Sequence, residues 1–208
     1  MMARPNYRNP FVVRKEIDDL ERCYLQKDAK RSYPDLAALA AGAAIRNRVE
    51  VRENLKQIFR WKLETFLKRR IRFVIEFPQH ISDCQIEKTI DTALLAIDQP
   101  NSVGEALRAF DDLPGVGIPV ASAFLTALDP SRFTVIDRQA YKALDVEFAN
   151  NLKTNEYIFY LEFCKGQAAL FGVSLRSYDR ALWQYGSELG RSRKKQKLCY
   201  GDSCGRPV

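Results

Sequence analysis

The sequence predicts an all-α fold, a helical bundle with short loops. Three observations predict it. Apolar residues recur at three- and four-residue spacing in one segment after another. Capping signals punctuate those segments, as at Ser82-Asp83-Cys84-Gln85. No pair of alternating runs around a tight turn reads as a β-hairpin. Only Phe73–Phe77, ended by Pro78, fits a short extended run.

Residues 1–34 form an N-terminal appendage or outer layer, with turns at Asn9-Pro10 and Tyr33-Pro34. Within them Val12 to Leu25 fits a helix, with Val13, Ile17, Leu20 and Tyr24 on one face. Residues 35–190 form the main helical domain. Asp35 is placed to cap an alanine-rich helix from Leu36 to Ile45. Val51 to Arg70 is the longest periodic segment, with Leu55, Ile58, Phe59, Leu63, Phe66 and Leu67 on its apolar side. Arg60, Trp61 and Lys62 interrupt that side, and Lys68, Arg69, Arg70 and Arg72 crowd its end. Cations there complement the helix dipole or contact phosphates.

Ser82 and Gln85 fit a capping box ahead of Ile86, Ile90, Leu94 and Ile97. Ser102 and Glu105 fit a second, ahead of Ala106, Leu107, Phe110 and Leu113. Ile118, Ala121, Phe124, Leu125 and Leu128 carry the next helix to Pro130. Gln139 to Val146 is a short helix. Tyr157 to Phe171 is another, with Ile158, Leu161 and Leu170 inward and Gly172 as its stop. Ser177 is placed to cap the last, where Ala181, Leu182, Tyr185 and Leu189 share a face and Gly190 closes it. Residues 191–208 read as a basic, disordered tail, either a DNA-binding arm or solvated chain.

The 208 residues suit one compact unit, and 46% hydrophobic residues allow a real core. A net charge of +7 favours a polyanionic partner. Five cysteines, odd in number and widely spaced, make no disulfide framework. No apolar run reaches membrane-spanning length, so no membrane partner is expected. No signal-peptide pattern opens the chain. The expected setting is intracellular and reducing, cytoplasmic or nuclear, and the expected state is monomeric.

The stretch from Leu113 to Asp137 carries the most information. Leu113-Pro114-Gly115-Val116-Gly117 ends one helical segment and opens another. Its glycines permit a tight turn and leave the backbone N–H groups uncovered. A turn of this kind at a helix start is a site for a phosphate oxygen. Ala121 and Ala123 allow close helix packing, and Val135-Ile136-Asp137 leads into the next helix.

These residues resemble the helix-hairpin-helix DNA glycosylase superfamily, which includes endonuclease III and the adenine-mismatch and alkylbase glycosylases. The motif-level resemblance covers about residues 103–145, and a resemblance in helix order alone covers about 50–190. It implies an endonuclease III-like arrangement of orthogonal helices around a helix-hairpin-helix motif. It implies that Leu113, Pro114, Gly115, Val116 and Gly117 grip one DNA strand, with a monovalent cation possible at the turn. It also implies a catalytic Asp at Asp137. The family's lysine, where present, stands two residues after the last hairpin glycine; this chain has Pro119 there. The resemblance therefore implies a monofunctional glycosylase, or a chain that kept the fold and lost the activity. The four-cysteine iron–sulfur loop of some relatives cannot be built from Cys199 and Cys204 alone. No other cofactor is implied.

Breaking a glycosidic bond makes the sugar cationic in the transition state. A fixed carboxylate stabilises that charge and orients or deprotonates the attacking water. Asp137 suits that role, and it equally suits the N-cap of the helix that starts at Arg138; one residue can do both. Trp61 reads as a stacking face for a flipped base or as core. Lys62 reads as a contact to the base, to a phosphate or to nothing, or as a replacement for the missing hairpin lysine. Trp183 reads as core. The family's glutamine-rich pocket pattern is missing. His80 lacks partners at metal-ligand spacing, so no metal site is expected from side chains. A non-catalytic DNA-binding module on the same turn is the alternative function. A helical interaction domain with a purely structural turn is the third.

Overall fold

A helix apolar on every side must be buried on every side. Ile118–Leu128 is such a helix, and Val120 to Leu128 are all buried. The computed structural model describes residues 5–67, 81–99, 102–149 and 151–200, the side chains of 64–67 and 190–200 excepted. Among the described residues there are nine helices and no strand, an all-α fold. They are α1 (Arg14–Asp28), α2 (Asp35–Arg46), α3 (Val51–Leu67), α4 (Asp83–Asp98), α5 (Val103–Asp111), α6 (Ile118–Leu128), α7 (Arg138–Ala143), α8 (Thr154–Phe171) and α9 (Leu175–Tyr200).

The central α6 is surrounded by α2, α3, α5 and α8. The second half closes around α9, which packs on α1, α7 and α8. A single core joins both halves, from Ile17 through Phe59 and Phe124 to Tyr178. The alanines of α2 serve close approach. Ala38, Ala41 and Gly42 are buried, and a Cβ on Gly42 would overlap the carbonyl of Ala127 in α6.

Several expectations are corrected here. Asp35 does not cap α2; Pro34 holds that position, and the Asp35 carboxylate is buried among arginines. Ser82 does cap α4 and accepts from the N–H of Gln85. Ser102 makes no cap to α5: its hydroxyl turns back to donate to the carbonyls of Ala96 and Gln99, which ends α4. Leu170 faces solvent at 73% exposure, because α8 buries Tyr157, Tyr160, Leu161, Cys164 and Ala168 instead. Gly172 stops α8 in the left-handed region, as its position predicts. Ser174, not Ser177, accepts the capping bond at the start of α9, from the Ser177 N–H. Gly190 does not close α9, whose backbone stays helical to Tyr200 where a disordered tail is expected. Residues 5–34 pack against the rest of the fold, as the outer-layer reading has it: Phe11, Ile17 and Tyr24 are buried, and the Tyr178 hydroxyl donates to Asn9. Arg69, Arg70, Phe73–Phe77 and His80 lie outside the described residues.

The packing at Gly42 yields a test. Gly42→Ala forces α2 away from α6 and should destabilise the protein by about 1–3 kcal/mol. Thermal denaturation should show it as a lower Tm, whereas Gly166→Ala, with open space around its Cβ, should not lower Tm.

Candidate functional site

Segments far apart in sequence meet at one cleft, at the seam between the two helix groups. Trp61 and Lys62 come from α3, and Val135 and Asp137 from the extended run before α7. Arg176, Asp179, Arg180 and Trp183 come from one face of α9, where helical spacing stacks them. Tyr24 of α1 and Arg31 complete the lining.

The extended run is pinned along its length. Tyr157 and Tyr160 donate their hydroxyls to the carbonyls of Thr134 and Val135, and the Val135 N–H donates to Asp179. The Ile136 N–H donates to the Ser122 hydroxyl at 3.1 Å, and that hydroxyl donates to the Pro119 carbonyl. The residue before Asp137 is thereby tied to the first turn of α6, directly after Gly117.

Asp137 is the N-cap of α7. Its Oδ1 accepts from the Gln139 N–H at 2.8 Å. Its Oδ2 accepts from Lys62 Nζ at 2.6 Å, and Lys62 also donates to the Ile136 carbonyl at 3.3 Å. The Asp137 side chain keeps 18% exposure, against 7% for Lys62. Asp137 is thus a fixed anion at the cleft surface, bridged to the opposite wall by a nearly buried ammonium. The gap between the walls is narrow, about 40 Å³. By this measure a water needs ~10–15 Å³, so a few waters fit and a purine ring does not.

Behind this pair lies a buried ionic network. Asp35 is fully buried and accepts from both Arg176 and Arg180. Arg176 also pairs with Asp179, and Arg180 with Glu21 at 2.7 Å. Arg31 pairs with Asp28 at 3.2 Å and donates to the Trp61 carbonyl at 2.9 Å. Burial pushes the Asp35 carboxyl up, but the two guanidiniums outweigh it and hold it below the usual range. Burial dominates at Asp179 and Asp28, which lie above theirs. Arg176 stacks its guanidinium over the Trp61 ring, 5.3 Å from the centroid.

The Leu113–Gly117 turn lies outside this lining. Leu113 and Val116 are buried and anchor it, while Pro114, Gly115 and Gly117 are exposed. Val116 donates its N–H to the Leu113 carbonyl at 3.0 Å, and Gly115 takes φ +80°. Among the described residues no acceptor meets the N–H of Gly115 or Gly117. Both groups stand at the protein surface at the start of α6.

Asp137, Trp61 and Lys62 therefore meet, and the turn is tied to them through Ser122. Sequence reasoning missed Arg31, Arg176, Asp179 and Arg180, and assigned Trp183 to the core although it lines the cleft and packs edge-on against Tyr24. The signal for the α9 residues was present as a polar stripe at 176, 179, 180 and 183. Among the described residues, no cluster of three or more His, Cys, Asp or Glu side chains is placed to hold a metal ion. No described helix is long and apolar enough to cross a membrane. Comparison of the chain with protein-family models, curated proteins and solved structures yields no match.

Removing the Asp35 carboxylate leaves two guanidiniums without their shared counterion. Asp35→Ala should destabilise the fold by about 3–5 kcal/mol, read by denaturant unfolding. The pH sign follows from the lowered folded-state pKa. The contribution of Asp35 is present in full above its unfolded value of ~3.9 and is lost as pH falls from there through the folded value. Acid unfolding should therefore show a component below about pH 4 that Asp35→Asn lacks.

Proposed function

We propose that the chain is a monofunctional DNA base-excision glycosylase-like protein of helix-hairpin-helix type, with Asp137 as its catalytic carboxylate. The observation that carries this reading is the meeting of Asp137, Lys62 and Trp61 at one cleft, from segments some 75 residues apart. The exposed N–H groups of Gly115 and Gly117 support a grip on one phosphodiester strand. The net charge of +7 supports a polyanionic partner. The tie from Ser122 to Ile136 would keep the gripped strand and the carboxylate in fixed relation.

In this reading a flipped nucleotide parts Lys62 from Asp137, since the gap between the walls is too small for a ring. The sugar then lies against the carboxylate, whose charge stabilises the oxocarbenium-like transition state. Water is the nucleophile, and Asp137 orients it or takes its proton. Pro119 stands where the amine of bifunctional relatives would stand. Once parted from Asp137, Lys62 contacts phosphate rather than forming a Schiff base.

The test is a panel of lesion-bearing duplexes. Base release should fall on the order of 10²–10⁴-fold in Asp137→Asn. Equal release by both proteins would remove Asp137 from the mechanism. Borohydride should trap no covalent adduct; a trapped adduct would make Lys62 the nucleophile.

One observation favours a second reading, a non-catalytic DNA-binding module. Both Asp137 oxygens are engaged and the gap is narrow. Bulky substitutions at Gly115 and Gly117 weaken salt-sensitive DNA binding under either reading. Only under the first does Asp137→Asn abolish turnover while duplex affinity is retained.

A further inference from the structure

We propose that Arg60 and Arg138 are a pair of phosphate clamps, one beside each wall of the cleft, that hold a DNA strand on either side of the nucleotide at Asp137. The proposal rests on the reading above for its partner, DNA, and needs no catalysis. It goes further by naming the side chains outside the turn that hold the strand.

The arginines of this protein are mostly spent on carboxylates. Among the described residues nine of them pair with an acid, including Arg31, Arg176 and Arg180 of the cleft lining. Lys62 is spent on Asp137. Arg60, Arg108, Arg132 and Arg138 have no carboxylate partner among the described residues. Three of these four lie over an aromatic ring. Arg60 lies over Tyr33, its Cζ 5.9 Å from the ring centroid, Arg138 over Phe148 at 5.7 Å and Arg132 over Phe133 at 5.7 Å. The ring takes the face of the guanidinium and limits its freedom, while the edge N–H groups stay open. That edge matches two oxygens of a phosphate.

Two of the three stacks border the cleft, from opposite walls. Arg60 precedes Trp61 in α3. Its ring partner, Tyr33, lies in the loop between Arg31, which lines the cleft, and Asp35, which holds Arg176 and Arg180. Arg138 follows Asp137 on the other wall. Phe148 packs on Tyr141, and Tyr141 on Tyr160, whose hydroxyl holds the carbonyl of Val135 in the lining. Both arginines are exposed. Glu53 lies within the field of Arg60, but its carboxylate is bonded to Lys56 at 2.7 Å. Asp137, beside Arg138, is taken by Lys62 and the Gln139 N–H. The third stack lies elsewhere. Arg132 follows the far end of α6, whose 11 residues put about 16 Å between it and the Gly117 turn. With the inner cations paired, a strand crossing the mouth of the cleft meets its free cations at the two rims.

The test is fluorescence anisotropy of the full chain with a labelled duplex carrying one tetrahydrofuran in place of a nucleotide, over a salt series. Arg60→Gln and Arg138→Gln should each weaken binding about tenfold and lower the slope of log K against log salt by about 1, and together by about 2. Arg132→Gln removes the same charge from the same kind of stack and should weaken binding less than about twofold. Arg60→Lys and Arg138→Lys keep the charge and lose the fork, so the slope should stay while affinity falls. Thermal melts check that each variant is folded. A slope unchanged in either folded Gln variant overturns the pair, and so does an equal loss in Arg132→Gln, which makes the effect one of net charge. Where a Gln variant does not fold, unchanged affinity in the Lys variant overturns it. An unsubstituted chain without salt-sensitive binding overturns it whether or not any variant folds. Binding cleaves no bond, so the outcome is separable from the glycosylase reading. The expected losses with no base release from any duplex sustain the clamps and remove the enzyme. Base release by the unsubstituted chain with both slopes unchanged removes the clamps and keeps the enzyme.

Discussion

Burying the Arg176 guanidinium obliges the protein to bury its counterions with it. Removing an ion from water is unfavourable by several kcal/mol, and only close, hydrogen-bonded partners offset that. Asp35 and Asp179 are those partners, and the Trp61 ring covers the guanidinium face. Asp35 opens α2, Arg176 lies in the first turn of α9, and Trp61 belongs to α3. One buried cation therefore fixes three helices relative to one another. Arg180 extends the tie to α1 through Glu21. The cleft walls are set by this network, so the geometry at Asp137 depends on the buried charges of Asp35, Arg176 and Asp179.

The same constraint explains how much was legible in the sequence. Helix existence was legible, because periodic apolar residues and end signals agree at α4 and α6, and Gly172 marks the end of α8. The backbone of the turn was legible too, since Leu113 and Val116 anchor it while Gly115 takes the positive φ. Asp137 as a cap followed from its place before Arg138. Asp35 failed, because an Asp that opens a helix looks like a cap whatever lies opposite it. Its arginine partners are 141 and 145 residues away, beyond any local pattern. The stripe at 176, 179, 180 and 183 went unread for the same reason: nothing local says that a carboxylate waits to be buried against it. Gly190 misled in the opposite direction, since one glycine weakens a helix without ending it.

The pair of Lys62 and Asp137 is where structure and chemistry pull against each other. A carboxylate that holds both a helix N-terminus and an ammonium is rigid and well placed to be an electrostatic anchor. It is also partly neutralised until the ammonium leaves. A cationic sugar can take the place of that ammonium, cation for cation, without leaving the carboxylate alone in a narrow cleft. Under the proposed function, a neutral ground-state sugar that parts the pair leaves the carboxylate without its counterion, and only the cationic transition state restores one, so the contact is stronger there than before it.

The most direct measurement is a crystal structure of the protein with a duplex carrying a positively charged pyrrolidine in place of one sugar. The ring nitrogen should lie within hydrogen-bond distance of the Asp137 carboxylate, with Lys62 displaced and the N–H groups of Gly115 and Gly117 on a phosphate of the same strand. DNA bound on another face, or a complex in which Lys62 still holds Asp137 and the pyrrolidine lies elsewhere, would contradict the assignment of this cleft as the site of base excision.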